Sequence, residues 1–274
     1  MDPSTILSLI GTLIVLVGIG GIYEWRARAG GDSARPRGVQ RLLFHAGLAV
    51  LALALATPLR IIADRELFVV HAVQHIMIAL AGPPLLIAGT PPGMVREALG
   101  LPVVGALLRA CTPAVRAFIV FNVLLIATHL PPVYAAGMQS EAFRALLYAA
   151  TIGAAILMWW PLLSPVAELP RLSYPLQMLY CFALSIPMSI VSVYIVAARG
   201  PVYPYGDGPL AWGITALEDQ RNGGLVMWVP SGLFFYLVLS IVFWKWQSHG
   251  GGNDSAAAAQ VPVRVPPPPP LPQS

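Results

Sequence analysis

The chain has 274 residues, 57% of them hydrophobic and only 10% charged, with a formal net charge of +4. A soluble domain carries about a quarter charged residues, so this composition excludes a soluble enzyme and points to an all-α, polytopic membrane protein. The positive balance is no sign of nucleic-acid binding, because most arginines flank apolar stretches, as membrane insertion requires; Cys111 and Cys181 form no CxxC or CxxxC pair for a disulfide framework or thiolate clamp.

A span takes about 20 mostly apolar residues, and about seven such stretches use up nearly the whole chain. Span one is expected at Ser4–Tyr23. Asp2 precedes it and Arg26, Arg28, Arg35, Arg37 and Arg41 follow it, the reverse of a secretory signal peptide. The positive loop therefore stays inside, and the N-terminus is expected outside. Span two is expected at Leu42–Ala63, followed by an outer loop at Asp64–Glu66, and span three at Leu67–Gly89. A long inner loop carries Arg96, Arg109 and Arg116, with an apolar stretch, Leu101–Leu108, too short to span. Span four is expected at Ala117–Ala136, span five at Phe143–Leu163 and span six at Tyr174–Ala198, the last two joined by an inner turn around Glu168 and Arg171. The outer loop Arg199–Asn222 leads to span seven, Gly223–Trp244. Of the 16 Lys and Arg residues, 11 fall in expected inner segments and 5 in outer ones, which favours an inside C-terminus. Residues 1–246 thus form a membrane domain. From Gln247 the Gly, Ala and Pro content predicts a disordered cytoplasmic tail.

Chemistry-bearing residues gather on the expected outer side. His71 and His75, four apart, share one face of span three. Rise per residue puts them roughly 6 and 12 Å below the outer boundary, with His129 about 10 Å deep in span four. Asp219, with Glu218, stands at the entrance of span seven, and Met227 lies about two turns further in. Met77 and Met138 lie on the same side. Ionisable residues inside a bilayer are costly and mark interior sites. Imidazole suits copper, zinc or iron, thioether selects Cu(I), and the missing thiolate pair weakens zinc. Bland readings stand beside this. A histidine within a span is more often a helix–helix hydrogen-bonding group, an acid at a helix start a cap, and a lone methionine packing. His45, near the inner end of span two, is expected to be structural. Prolines at Pro58, Pro83-Pro84, Pro187 and Pro230 are expected to kink spans.

Several strings resemble those of the CtaG family, seven-span assembly factors for cytochrome c oxidase of the bacterial caa type, distinct from the single-span copper chaperones that share the name. FVVHAVQHIMIALAGPPLLIAGTPP (Phe68–Pro92) resembles the family's His-x-x-x-His span and its Pro-Leu-Leu-x-x-Gly-x-Pro turn. THLPPVYAA (Thr128–Ala136), MWWPLLSP (Met158–Pro165) and PVYPY (Pro201–Tyr205) resemble later elements in the expected order. LEDQRNGGLVMWVPSG (Leu217–Gly232) is the most specific match. Many members carry a second His-x-x-x-His pair at the head of span five, where this chain has Arg144 and Tyr148.

The resemblance implies a non-enzymatic factor for maturing a haem-copper oxidase, binding or delivering copper at the outer face of a bacterial inner membrane. It implies a Cu(I) site of His71, His75 and His129, with Met227 and Asp219 at the same cavity. Oxidase subunits, periplasmic copper chaperones and membrane lipid would be the partners, and nucleic acid would not. No Walker, Rossmann or nucleophile-elbow pattern sits in a suitable context. Two other readings stay open: a membrane oxidoreductase with haem held by intramembrane histidines, and a metal-free scaffold for oxidase subunits. A permease is disfavoured by the lack of visible repeats.

Overall fold

The computed structural model describes residues 3–248. The expected tail lies outside the described residues from 249 onward, while Gln247 and Ser248, expected within it, end the last helix. Among the described residues there is no strand. The helices are α1 (Pro3–Ala29), α2 (Gly38–Leu55), α3 (Pro58–Arg65), α4 (Phe68–Ile76), α5 (Gly82–Gly89), α6 (Pro92–Gly100), α7 (Pro102–Cys111), α8 (Ala114–His129), α9 (Pro131–Gln139), α10 (Glu141–Leu163), α11 (Tyr174–Ala197) and α12 (Ala216–Ser248). A π-helical segment, Met77–Ala81, joins α4 to α5 as one continuous rod. Among the described residues, six helices are long and apolar enough to cross a membrane, and counting α7 with α8, bent by 92° at their junction, brings the number to as many as seven.

Proline and capping chemistry move several boundaries from their expected places. Span two stops at Leu55 rather than Ala63. Thr57 caps a new helix by accepting the Leu59 N–H at 3.3 Å, and Pro58 starts it, where its missing N–H costs nothing. Asp64 and Arg65, expected in a loop, are therefore helical. Span four breaks at Leu130, held extended by the following prolines, so Ala117–Ala136 is divided between α8 and α9. Span seven begins at Ala216, seven residues before Gly223, because Thr215 and Glu218 form a reciprocal cap. Of the apolar stretch Leu101–Leu108, Leu101 is the extended N-cap and the remainder lies in the short helix α7.

The bundle core lies between α4, α8, α10, α11 and α12, around Phe68, Phe121, Trp159, Leu184 and Phe235. α11 packs along α12, α4 on α12 and α3, and α8 on α10 and α11. α1 is peripheral. It is tied at one end by the Arg65 guanidinium donating to Thr5 Oγ1 (2.9 Å), and towards the other by the Tyr23 hydroxyl donating to the Gly89 carbonyl (2.9 Å). α3 and α9 mark one end of the bundle; α6 and α7 mark the opposite end. There, Arg96 pairs with Glu168 at 2.7 Å and holds that carboxyl below the ordinary carboxylate range. His45 pairs with Glu24 at 2.9 Å, apart from the other histidines.

Candidate metal-handling site

The first turn of α4 has backbone N–H groups with no intrahelical acceptor. Asp219, 1% exposed, supplies one from α12: Oδ2 accepts the Phe68 N–H at 2.5 Å and Oδ1 the Val69 N–H at 3.0 Å. This carboxylate at a helix N-terminus anchors α4 and sets the height of His71 and His75. Behind them, Pro83 has no N–H for the Ala79 carbonyl four residues earlier, and the Trp159 indole N–H fills that vacancy at 2.9 Å. The helix widens to its π form over the same turn.

His129 ends α8. Its Nδ1 lies 2.8 Å from the Leu125 carbonyl oxygen, a contact only an N–H can make favourably, so the proton is assigned to Nδ1 and the lone pair to Nε2. The three rings come together: centroids are 6.5 Å apart for His71–His75, 6.0 Å for His71–His129 and 5.1 Å for His75–His129. His75 and His129 are each 4% exposed, and Nε2 of both is buried without a hydrogen-bond partner. His71 is half-buried.

Aromatic rings cover the triad. Tyr134 meets His71 edge-on at 5.0 Å, and Tyr203 stacks on Phe68 at 4.6 Å. The Tyr203 hydroxyl donates to the His129 carbonyl at 3.0 Å, that of Tyr205 donates to the Ala63 carbonyl at 2.6 Å, and Tyr134 and Tyr205 share a short hydroxyl contact. Gln220 holds this cover in place. It accepts the Val202 N–H at 2.6 Å and donates to the Ile195 carbonyl at 3.1 Å. At Gly223 a Cβ would strike the Phe68 ring, and at Gly224 it would come within 2.6 Å of Val196, so both glycines let α12 seat closely.

The cavity beside the histidines measures about 50 Å³, and its walls include Asp64, Thr128, Met138, Arg144 and Tyr148. Met227 and Asp219, expected there, are not in its lining. Asp219 is committed to capping α4, Met227 is fully buried among apolar side chains, and Glu218 belongs to the Thr215 cap. Arg144 and Tyr148, by contrast, do face the histidines. The Tyr148 hydroxyl donates to Asp64 and lies 3.0 Å from Gln74 Oε1; Asp64 Oδ2 lies 3.1 Å from Arg144 Nε and 3.3 Å from Arg60 Nε. In the sequence Asp64 reads as a loop charge, and its i, i+4 spacing to Arg60 is the signal that marks it as a helical partner. Among the described residues, no three His, Cys, Asp or Glu side chains are disposed to hold a metal ion as they stand.

No curated protein and no solved structure matches the chain. The family model described as cytochrome c oxidase caa3 assembly factor (Caa3_CtaG) matches residues 19–249. The sequence strings around His71 and His129 thus meet at one polar site inside a helical membrane bundle, the string around Asp219 caps the helix that carries His71, and the chain belongs to the caa3 cytochrome c oxidase assembly factor family.

Proposed function

We propose that the protein carries Cu(I) for a caa3-type oxidase at the end of the bundle bearing α3 and α9, and that this end faces outside a bacterial inner membrane. The observation behind this reading is the meeting of His71, His75 and His129 with two buried, unpartnered Nε2 atoms. A buried polar atom left without a partner costs about 1–3 kcal/mol, a cost a bound cation removes. The point equidistant from the three centroids is about 3.4 Å from each, and a nitrogen about 2 Å from an ion sets its ring centroid about 3 Å away, so the rings stand a few tenths of an ångström too wide. Loading then needs ring rotation rather than helix movement. With His129 Nδ1–H held by Leu125, its Nε2 is the free donor, the usual role of a backbone partner to a metal-binding histidine.

The chain's own residues bind, orient and shield the ion. The tyrosine cover excludes water, and the α4 cap fixes the height of the histidine pair. Transfer proceeds by ligand exchange towards an oxidase subunit whose site binds copper more tightly, with a periplasmic copper chaperone as donor. Haem between these histidines is disfavoured by volume, since pockets for larger organic ligands run to about 300–1,000 Å³ and this cavity holds about 50 Å³.

Metal analysis of detergent-purified protein, loaded under reducing conditions, tests the reading. Wild type is expected to retain about one copper per chain, and the His71→Ala/His75→Ala protein none. Equal copper in both, or none in either, would replace this reading with the metal-free scaffold; a Soret band in the purified protein would favour haem.

A further inference from the structure

The imidazoles are uncharged when they offer lone pairs, so a cation among them needs a counter-charge to leave water. Among the residues lining the cavity, Asp64 is the one carboxylate and Arg144 the one guanidinium. We infer that Asp64 is the counter-charge for the bound cation and that Arg144 is its built-in competitor, so that this pair limits affinity and favours release. The inference rests on the copper reading.

The geometry fits a partner that is held but not locked. Asp64 Oδ1 takes the Tyr148 hydroxyl, which keeps the carboxylate at the cavity wall. Oδ2 faces Arg144 Nε at 3.1 Å, yet that N–H is not directed along a hydrogen bond and Nε has no hydrogen-bond partner. On this edge the pair is held by charge alone. Glu141, outside the cavity, offers both arginines a second anion: it pairs closely with Arg144 Nη2 and accepts from Arg60 Nη2 at 3.0 Å. If Asp64 turns towards the cation, neither guanidinium is stranded.

Charge arithmetic supplies the sign. Arg60 and Arg144 balance Asp64 and Glu141, so the empty cluster is neutral and a monovalent cation leaves one charge in excess. Arg65, which also reaches Glu141 at 3.5 Å, is 46% exposed and largely screened by solvent. Removing the Arg144 charge makes the loaded cluster neutral. The substitution therefore tightens binding, the opposite of what loss of a ligand does.

The test is Cu(I) affinity of the purified full-length protein, measured by competition with a chromogenic Cu(I) chelator. Arg144→Gln should bind about tenfold tighter or more, and Asp64→Asn about tenfold weaker or more, the size of one unit charge across roughly 10 Å at an effective dielectric of about 20. Arg144→Lys, which keeps the charge, should stay within a few-fold of wild type. A folded Arg144→Gln protein with unchanged or weaker affinity overturns the inference while leaving the copper site standing. Wild type that binds no Cu(I) sinks both. Should Arg144→Gln fail to fold, Glu141→Gln decides: it lies outside the cavity, leaves Arg144 less compensated, and must weaken binding; unchanged affinity overturns the inference.

Discussion

Asp219 was expected at the metal site and its carboxylate caps α4 in the structure, and one pair of substitutions separates the two roles. Its carboxylate accepts two backbone N–H groups, from Phe68 and Val69, in a site 1% exposed. A hydrogen bond to a charged group contributes about 1.5–3 kcal/mol, so losing both in Asp219→Ala should cost about 3–6 kcal/mol. Two N–H groups would then be left buried and unpaired at the start of α4. Asp219→Asn keeps one acceptor and loses the charge, and should cost about 1–2 kcal/mol, near the range for ordinary caps. The assay is thermal unfolding in detergent followed by tryptophan fluorescence, run without metal, with Cu(I) affinity measured on the same preparations. The capping role predicts a graded loss of stability, alanine worse than asparagine, with little change in the affinity of whatever folded protein remains for Asp219→Asn. Full metal-free stability in Asp219→Ala combined with lost Cu(I) binding would refute it and restore the carboxylate as a ligand.

Two further predictions follow from placement. Met138 lines the histidine cavity while Met227 is packed in the apolar core, so Met138→Leu should weaken Cu(I) binding about tenfold, as loss of a soft thioether ligand would. Met227→Leu should leave affinity unchanged and cost less than about 1.5 kcal/mol of stability, the usual limit for a volume-conserving core swap; the reverse pattern would relocate the soft ligand. For orientation, a reporter fused after Ser248 should be active only on the cytoplasmic side and one inserted near Gly206 only on the periplasmic side, in line with the 11-to-5 distribution of basic residues. A periplasmically active fusion at Ser248 would invert the bundle and remove the argument for an outward-facing site.

The spans were legible because each rests on local composition: about 20 apolar residues suffice to identify a crossing, whatever it packs against. The shared face of His71 and His75 was legible for the same reason, as helical period alone sets it. The errors at Ala63, Ala136 and Gly223 are also local. Thr57-Pro58, Pro131-Pro132 and the Thr215–Glu218 cap are visible in the sequence, but hydropathy windows average across them.

What the tertiary structure alone decided was which distant groups meet. Asp219 reaches a backbone 151 residues earlier, and Tyr148 reaches a carboxylate 84 residues earlier. The approach of His129 to His71 and His75 needed the same information, since the loop between the two spans is too long to dictate adjacency. α4 and α8 are seated by α12, α3, α10 and α11, and their rings meet across the space left between them. Hydropathy and helical period act over a turn or a span. Which polar side chain satisfies which buried group depends on how whole helices pack, and that packing assigned Asp219 to a cap and brought Arg144 and Asp64 to the histidines.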